Sequence, residues 1–367
     1  MRWMPHIYTW MSCGSYRAAS SYFMMEKIVE VVENDRIADY DLVKEYFGDR
    51  KVCMFDIETT GLSPVYSFTY IIGINIFEAG QWKIVQLFND DGTSEPEMIR
   101  TFHSMIADYD VLMEFNGDRF DIPYIQKRMD TICSKFGISL TNNFPNVENF
   151  DLMKVVKPYK FALGLPNIKQ KTIEKFLRID RVDQYNGGQL IDVYLSYLSS
   201  KSERAKKLVL QHNRDDMEGM IFLSHILFLS LLEEGKFTVS NLRMEDKNRL
   251  RLLLDVNVSK APVMPLFASL KGVELTCNKG KCTLSIPVTT GTYNYYFDPT
   301  GKAGCEEISG YFAPTLGEDV PGATICRDKP KGRETFAVLN DSLLSDDAKM
   351  VKLASALIRQ ILTYRGK

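Results

Sequence analysis

The chain has 367 residues, of which 45% are hydrophobic and 25% charged, with a formal net charge of -2. That composition belongs to folded globular chains long enough for two domains, and it excludes collagen-like, low-complexity and generally polycationic proteins. Any contact with nucleic acid must therefore come from a local patch. The seven cysteines, Cys13, Cys53, Cys133, Cys277, Cys282, Cys305 and Cys326, are odd in number and irregularly spaced. They fit free thiols in a reducing compartment and a cytoplasmic address.

In chain order, residues 1–24 show no helix or strand periodicity and no signal-peptide pattern, and read as a disordered or dispensable extension. An amphipathic helix is expected to open at Met24 or Met25. Strands are predicted from Val52 to Ile57, Tyr70 to Phe77, Trp82 to Phe88 and Val111 to Phe115, with a helix from Glu95 to Ala107 before the last. Ile125, Met129, Ile132 and Phe136 mark an amphipathic helix that stops at Gly137. Further helix is expected over Thr172 to Leu177, Gln189 to Leu198 and His212 to Glu234. The apolar run IFLSHILFLSLL inside the last of these is too short and too interrupted to span a bilayer, so no membrane is expected as a partner. Strands first and helices later predict a mixed sheet covered by helices over residues 25–235.

After Gly235 the pattern changes to alternation, as in Leu250, Leu252, Leu254, Val256 and Val258. VELTCNKGKCTLSI reads as a hairpin in which Cys277 and Cys282 face each other, in preference to a zinc pair. Residues 236–367 thus form a smaller β-rich accessory unit. It ends in a helix with Ser345 as the cap and Met350, Leu353, Leu357 and Ile361 as the apolar stripe.

Three acidic segments stand out. FDIETTGL, residues 55–62, places Asp56 and Glu58 on one face of an otherwise apolar strand, where two unpaired carboxylates are costly and repel each other. EFNGDRFDIPYI, residues 114–125, puts Asp121 at a strand-to-helix junction, with Pro123 at the first helical position. Capping that helix is an ordinary role for such an Asp. HNRDDMEGM, residues 212–220, puts His212 and Asp216 one turn apart on one helix face and Asp215 on another. Alone it also reads as a charged first turn.

Taken in order, DIETTG, NGxxFD and HNxxD resemble the three exonuclease motifs of the DEDD-type ribonuclease H-like 3′-5′ exonucleases, with the YprB-type branch as the nearest likeness. The intervening LPNIKQKTIEKFLRIDRVDQYNGGQLIDVYLSYL resembles that branch too, so the likeness covers roughly residues 48–232. The resemblance implies an α/β, ribonuclease H-like mixed central sheet flanked by helices. It also implies Asp56, Glu58, Asp121 and Asp216 as ligands of two divalent cations, Mg2+ or Mn2+, whose charge offsets the crowded acids.

His212 has the side chain of one branch of these enzymes and the spacing of another, and would be the base that activates water. By the same resemblance Thr59 and Thr60 would meet the terminal nucleotide, Leu62 would pack on its base, and Asn116 and Phe120 would support the second motif. His6, His103 and His225 have no comparable setting.

Between Lys154 and Arg181 stand eight Lys or Arg residues, Lys169 and Lys171 among them, with Tyr159, Phe161 and Phe176 interspersed. This suits a single-stranded nucleic-acid track, or equally a solvated helix face. The expected activity is hydrolysis of phosphodiester bonds at the 3′ end of single-stranded DNA or RNA. The alternatives are an inactive nucleic-acid-binding or scaffold module of the same fold, and an endonuclease.

Overall fold

A computed structural model describes residues 25–33, 40–183, 185–246, 249–259, 265–278, 281–296, 304–329 and 334–365. The readings made for residues 1–24, His6 and Cys13 included, lie outside them.

The first unit is built on a six-stranded sheet. Its strands are β1 (Met25–Val31), β2 (Val52–Thr59), β3 (Thr69–Glu78), β4 (Gln81–Asn89), β5 (Val111–Glu114) and β6 (Glu148–Asp151), in the spatial order β1-β4-β3-β2-β5-β6. The β2/β5 and β5/β6 pairs are parallel and the rest antiparallel, so the sheet is mixed. Strand β2 is central, and Val52, Cys53, Met54, Phe55 and Ile57 are all buried, as the two-faced apolar pattern requires.

Helices α1 (Asp41–Phe47), α2 (Glu95–Ile106), α3 (Asp121–Phe136), α4 (Leu152–Val156), α5 (Gln170–Phe176), α6 (Gly187–Ser200), α7 (Glu203–Leu223) and α8 (Leu227–Glu233) flank it. One face of β2 packs with α2 and α3 through Phe55, Phe102 and Ile125. The opposite face meets α7. Gly137 closes α3 in the left-handed conformation.

The second unit holds an antiparallel sheet of β7 (Thr238–Asp246), β8 (Leu250–Asn257), β9 (Leu266–Leu270), β10 (Val273–Asn278) and β11 (Lys281–Pro287), ordered β7-β8-β11-β10-β9. Cys277 faces Cys282 across the β10/β11 hairpin, as the sequence suggested. Strands β12 (Thr289–Tyr296), β13 (Cys305–Pro314), β14 (Ile325–Arg327) and β15 (Thr335–Val338) close a small barrel. Helices α9 (Asp341–Leu344) and α10 (Asp347–Thr363) follow. Met350, Leu353, Leu357 and Ile361 of α10 are buried and join Leu231, Leu254 and Leu284 in one apolar cluster with Met54 and Met220. The two units therefore share a continuous core.

Four local expectations are corrected. The segment opening at Met25 is strand β1, paired along its length with β4, because the edge of β4 offers a row of backbone donors and acceptors and the β-branched Ile28, Val29 and Val31 suit a strand. The helix carrying His212 starts nine residues earlier, at Glu203, capped by the Ser202 hydroxyl, and a short 3-10 turn at Ser224–Ile226 separates it from α8. His212 and Asp216 thus lie mid-helix, which removes the charged-first-turn reading. Helix α10 is capped by Asp346, whose carboxylate accepts the Lys349 N–H at 3.0 Å, while Ser345 ends α9. Pro123 occupies the third position of α3, where its missing N–H has no intrahelical partner to lose. Among the described residues no helix is long and apolar enough to cross a membrane.

Candidate active site

Asp56 and Glu58 project from the face of β2 that meets α7, and α3 begins at Asp121 beside them. The Ile57 N–H donates to Asp121 Oδ1 at 3.2 Å, so Asp121 is tied to β2 in addition to starting its helix. From α7, Asn213 Nδ2 donates to Asp56 Oδ2 at 3.3 Å. Asp216, on the same helix, has Oδ2 3.3 Å from His212 Nε2, which is also 3.5 Å from Glu58 Oε1. Asp215 turns away, accepting from Gln211 and from the Asp183 N–H. All four acids of the three motifs, and His212, meet in one pocket.

The electrostatics of this pocket are lopsided. Burial, then Asp121, Asp216 and Glu58, push the Asp56 carboxyl well above its ordinary range. Burial and Asp216 do the same to Glu58. Burial raises Asp121 to about 7, although the Ile57 N–H pulls it back. Carboxyl groups crowded in this way repel one another unless positive charge is added.

Arg181 brings a positive charge against these acids. Arg181 donates through Nη2 to Asp216 Oδ1 and grips Glu174 with Nε and Nη2. Glu174 is 1% exposed, and a β-carbon on Gly219 would fall 2.1 Å from its Oε1, so α7 needs glycine there to admit the pair. Gln170 completes the link, donating to the Asp216 carbonyl at 2.9 Å.

Two further contributors also come from outside the three motifs. Asp183, in the segment between α5 and α6, has Oδ2 2.6 Å from His212 Nδ1. Burial raises its carboxyl, but the Tyr185 N–H and His212 outweigh that and hold it below its ordinary value. The Tyr70 hydroxyl of β3 donates to Glu58 Oε2 at 3.4 Å. Neither Asp183 nor Tyr70 lies near an acidic motif in sequence. Asp183 lies between the two predicted helices Thr172 to Leu177 and Gln189 to Leu198, where no motif marks it.

The expected substrate contacts are placed as follows. Thr59 is buried, with Oγ1 donating to the Gly61 carbonyl, and the Phe68 N–H donates to Thr60 Oγ1, so both shape the loop after β2. Leu62 projects from that loop 86% exposed, next to Tyr66 at 85%. Asn116 takes a left-handed backbone conformation (φ 66°), and its N–H donates to Asp151 Oδ1 at 2.9 Å. Phe120 packs on Tyr124, ring centroids 5.3 Å apart.

The basic stretch divides. Lys169 and Lys171 are exposed, and Lys171 Nζ reaches the Tyr185 carbonyl and Asp183. Arg181 turns inward, and Tyr159 is a core residue bonded to Glu233, leaving Phe161 as the exposed aromatic. Phe176 is partly buried against the core. A second acidic group, Glu114, Asp118 and Asp151, lies under the turn that carries Asn116. Glu114 accepts the N–H groups of Gly117 and Asp118, and so fixes that turn.

A family model described as RNase_H superfamily matches residues 53–228. Among curated proteins, a DNA polymerase of Thermococcus sp. (strain 9oN-7) is 32% identical over 113 residues, covering 28% of this chain and 14% of that protein. DNA polymerase 1 of Sulfurisphaera ohwakuensis is 29% identical over 119 residues, 25% of this chain and 14% of that one. The alignments thus span a small part of those longer polymerases.

Among solved structures, the family B DNA polymerase of Pyrobaculum calidifontis superposes with TM-score 0.41 at 11% identity, covering 86% of this chain and 46% of that one. Brucella melitensis NrnC bound to pGG gives TM-score 0.24 at 16% identity over 50% of this chain and 86% of that one. Residues 53–228 thus match the RNase_H superfamily, and the match covers all three acidic motifs.

Proposed function

We propose that the protein is a metal-dependent 3′-5′ exonuclease that hydrolyses the terminal phosphodiester of single-stranded DNA or RNA. The observation that carries this reading is the convergence of Asp56, Glu58, Asp121 and Asp216 in one pocket, where burial first and neighbouring acids second push up the carboxyls of Asp56, Glu58 and Asp121. Such an oxygen-rich donor set fits Mg2+ or Mn2+. Two such cations, when bound, supply the positive charge that offsets the attacking and leaving oxygens.

The chain's own residues do the rest. Asp56, with its Asn213 partner, and Asp121, tied to the Ile57 N–H, present oxygens from the sheet side. Glu58 and Asp216 present theirs from opposite walls, and His212 offers Nε2 between them. The loop of Thr59, Thr60 and Leu62 lies beside the acids, where a terminal nucleotide would rest, and Tyr66 offers an exposed ring for stacking. Lys169 and Lys171 stand where they can draw in a phosphate backbone. The 3′-5′ polarity and the preference for single strands follow the resemblance of the motifs.

The test uses three single-stranded substrates, labelled at the 3′ end, labelled at the 5′ end, or closed into a circle. Early mononucleotide release from the 3′ label with the circle intact is expected. Cutting of the circle would make the protein an endonuclease, and binding without cleavage of any substrate would make it a binding module.

A further inference from the structure

We propose that His212 is itself a metal ligand, completing a mixed nitrogen and oxygen site with Glu58 and Asp216, and that Asp183 holds its ring in the form ligation requires. This rests on the reading that the acidic pocket takes up divalent cations.

Asp183 sets the orientation of the His212 ring. Asp183 Oδ2 is 2.6 Å from His212 Nδ1, and a carboxylate only accepts, so Nδ1 carries the hydrogen and Nε2 is the nitrogen that faces the pocket. Asp183 is fixed in turn. Its side chain is 2% exposed, Oδ1 accepts the Tyr185 N–H at 2.9 Å, and its own N–H donates to Asp215 Oδ2 at 2.7 Å. The ring therefore has little freedom to turn its other nitrogen inward.

The donor atoms are spaced across the pocket as ligands of one ion would be. His212 Nε2 is 3.3 Å from Asp216 Oδ2 and 3.5 Å from Glu58 Oε1. A charge-assisted hydrogen bond is shorter, about 2.7–2.9 Å. Two donor atoms each about 2.1 Å from one small cation lie about 3.0 Å apart at a right angle and about 3.4 Å apart at a tetrahedral angle. The observed spacing is that of neighbours around an ion, and the three donor atoms all lie within 4.8 Å of one another.

Each inward atom also has its opposite number held from behind. Asp216 Oδ1 is taken by Arg181, Glu58 Oε2 by the Tyr70 hydroxyl, and His212 Nδ1 by Asp183. That is the outer arrangement which orients ligands and sets their basicity at protein metal sites. An imidazole among the donors shifts preference from Mg2+ toward Mn2+, Co2+ or Zn2+. His212 then serves as a ligand instead of the water-activating base.

The test is pulsed electron paramagnetic resonance of the full-length, metal-stripped protein loaded with Mn2+, which reports both bound ion and any directly coordinated 14N. Bound Mn2+ with imidazole-type nitrogen modulation is expected in the wild type and is lost in His212→Ala. Asp183→Asn is expected to weaken Mn2+ affinity about 10- to 100-fold. Bound Mn2+ without nitrogen modulation in the wild type overturns the inference and leaves the acidic metal site standing. No bound Mn2+ at all overturns both. The wild-type spectrum decides between these outcomes even if a variant does not fold.

Discussion

Gly73 and Asn213 touch where helix α7 crosses the sheet: a β-carbon on Gly73 would stand 2.5 Å from Asn213 Oδ1, and 2.7 Å from Met217 Cγ. Gly73 is also the direct cross-strand neighbour of Asp56. The missing side chain lets α7 settle onto β3 and brings Asp216 against the acids of β2. Gly73→Ala is expected to lift the helix, lowering stability by about 1–3 kcal/mol in urea unfolding. Nuclease activity should fall at temperatures where the variant is still fully folded. A variant with reduced stability and wild-type turnover would contradict this role.

Arg128 and Glu95 form a buried pair, 2.6 Å apart, with side chains 10% and 6% exposed. Glu95 also accepts the Thr69 N–H at 2.8 Å, and Arg128 donates to the Pro64 carbonyl at 2.8 Å, so the pair pins the loop after β2 to α2 and α3. Truncating either partner strands the other's charge. Arg128→Ala is expected to cost about 3–5 kcal/mol of unfolding free energy. A loss below 1 kcal/mol in chemical denaturation would show that the loop is held by other means.

Leu62 and Tyr66 are exposed and add little to the core, so substituting them should leave unfolding unchanged. Tyr66→Ala is expected to weaken single-strand binding by about 1–3 kcal/mol in fluorescence anisotropy, measured in an Asp56→Asn background to prevent cleavage. Equal affinity in the two proteins would remove Tyr66 from the substrate path.

His103 gives a pH dependence with a definite sign. Burial lowers its pKa from 6.5 to about 4, and the Asn143 N–H donates to its Nδ1 at 3.1 Å, which requires that nitrogen to be unprotonated. Between these two values the unfolded chain binds the proton and the folded one does not. This residue's contribution to stability is thus full above pH 6.5 and lost as the pH falls toward 4. Relative to His103→Gln, the wild type should lose on the order of 2 kcal/mol between pH 7 and pH 4.5 in urea unfolding. Parallel pH profiles would contradict it.

Much of the fold was legible in the chain. The two-faced apolar pattern of Val52–Ile57 identified a central strand, and the Cys277/Cys282 pairing followed from the turn residues between them. What escaped were elements whose identity depends on a neighbour. Strand β1 exists because β4 has an open edge, and the first half of α7, rich in Lys and Arg, shows its apolar face only against the sheet. Likewise the motifs named the acids, whereas Asp183, Tyr70 and Arg181 act across folds of the chain that no local spacing records. Arg181 in particular belongs to a basic run that reads as a surface track, yet it turns inward because Glu174 is buried beneath α7 at Gly219.

Cleavage should depend on the four-acid pocket. The deciding measurement is mononucleotide release from a 3′-labelled single strand, with Mg2+ or Mn2+ and with a chelator, for the wild type and for Asp56→Asn. Cation-dependent release by the wild type and none by the variant is expected. The variant should unfold at the same or a higher urea concentration in the absence of metal, since one crowded carboxyl is gone. Release that persists in the chelator or in Asp56→Asn, or no release by the wild type from DNA or RNA, would contradict it.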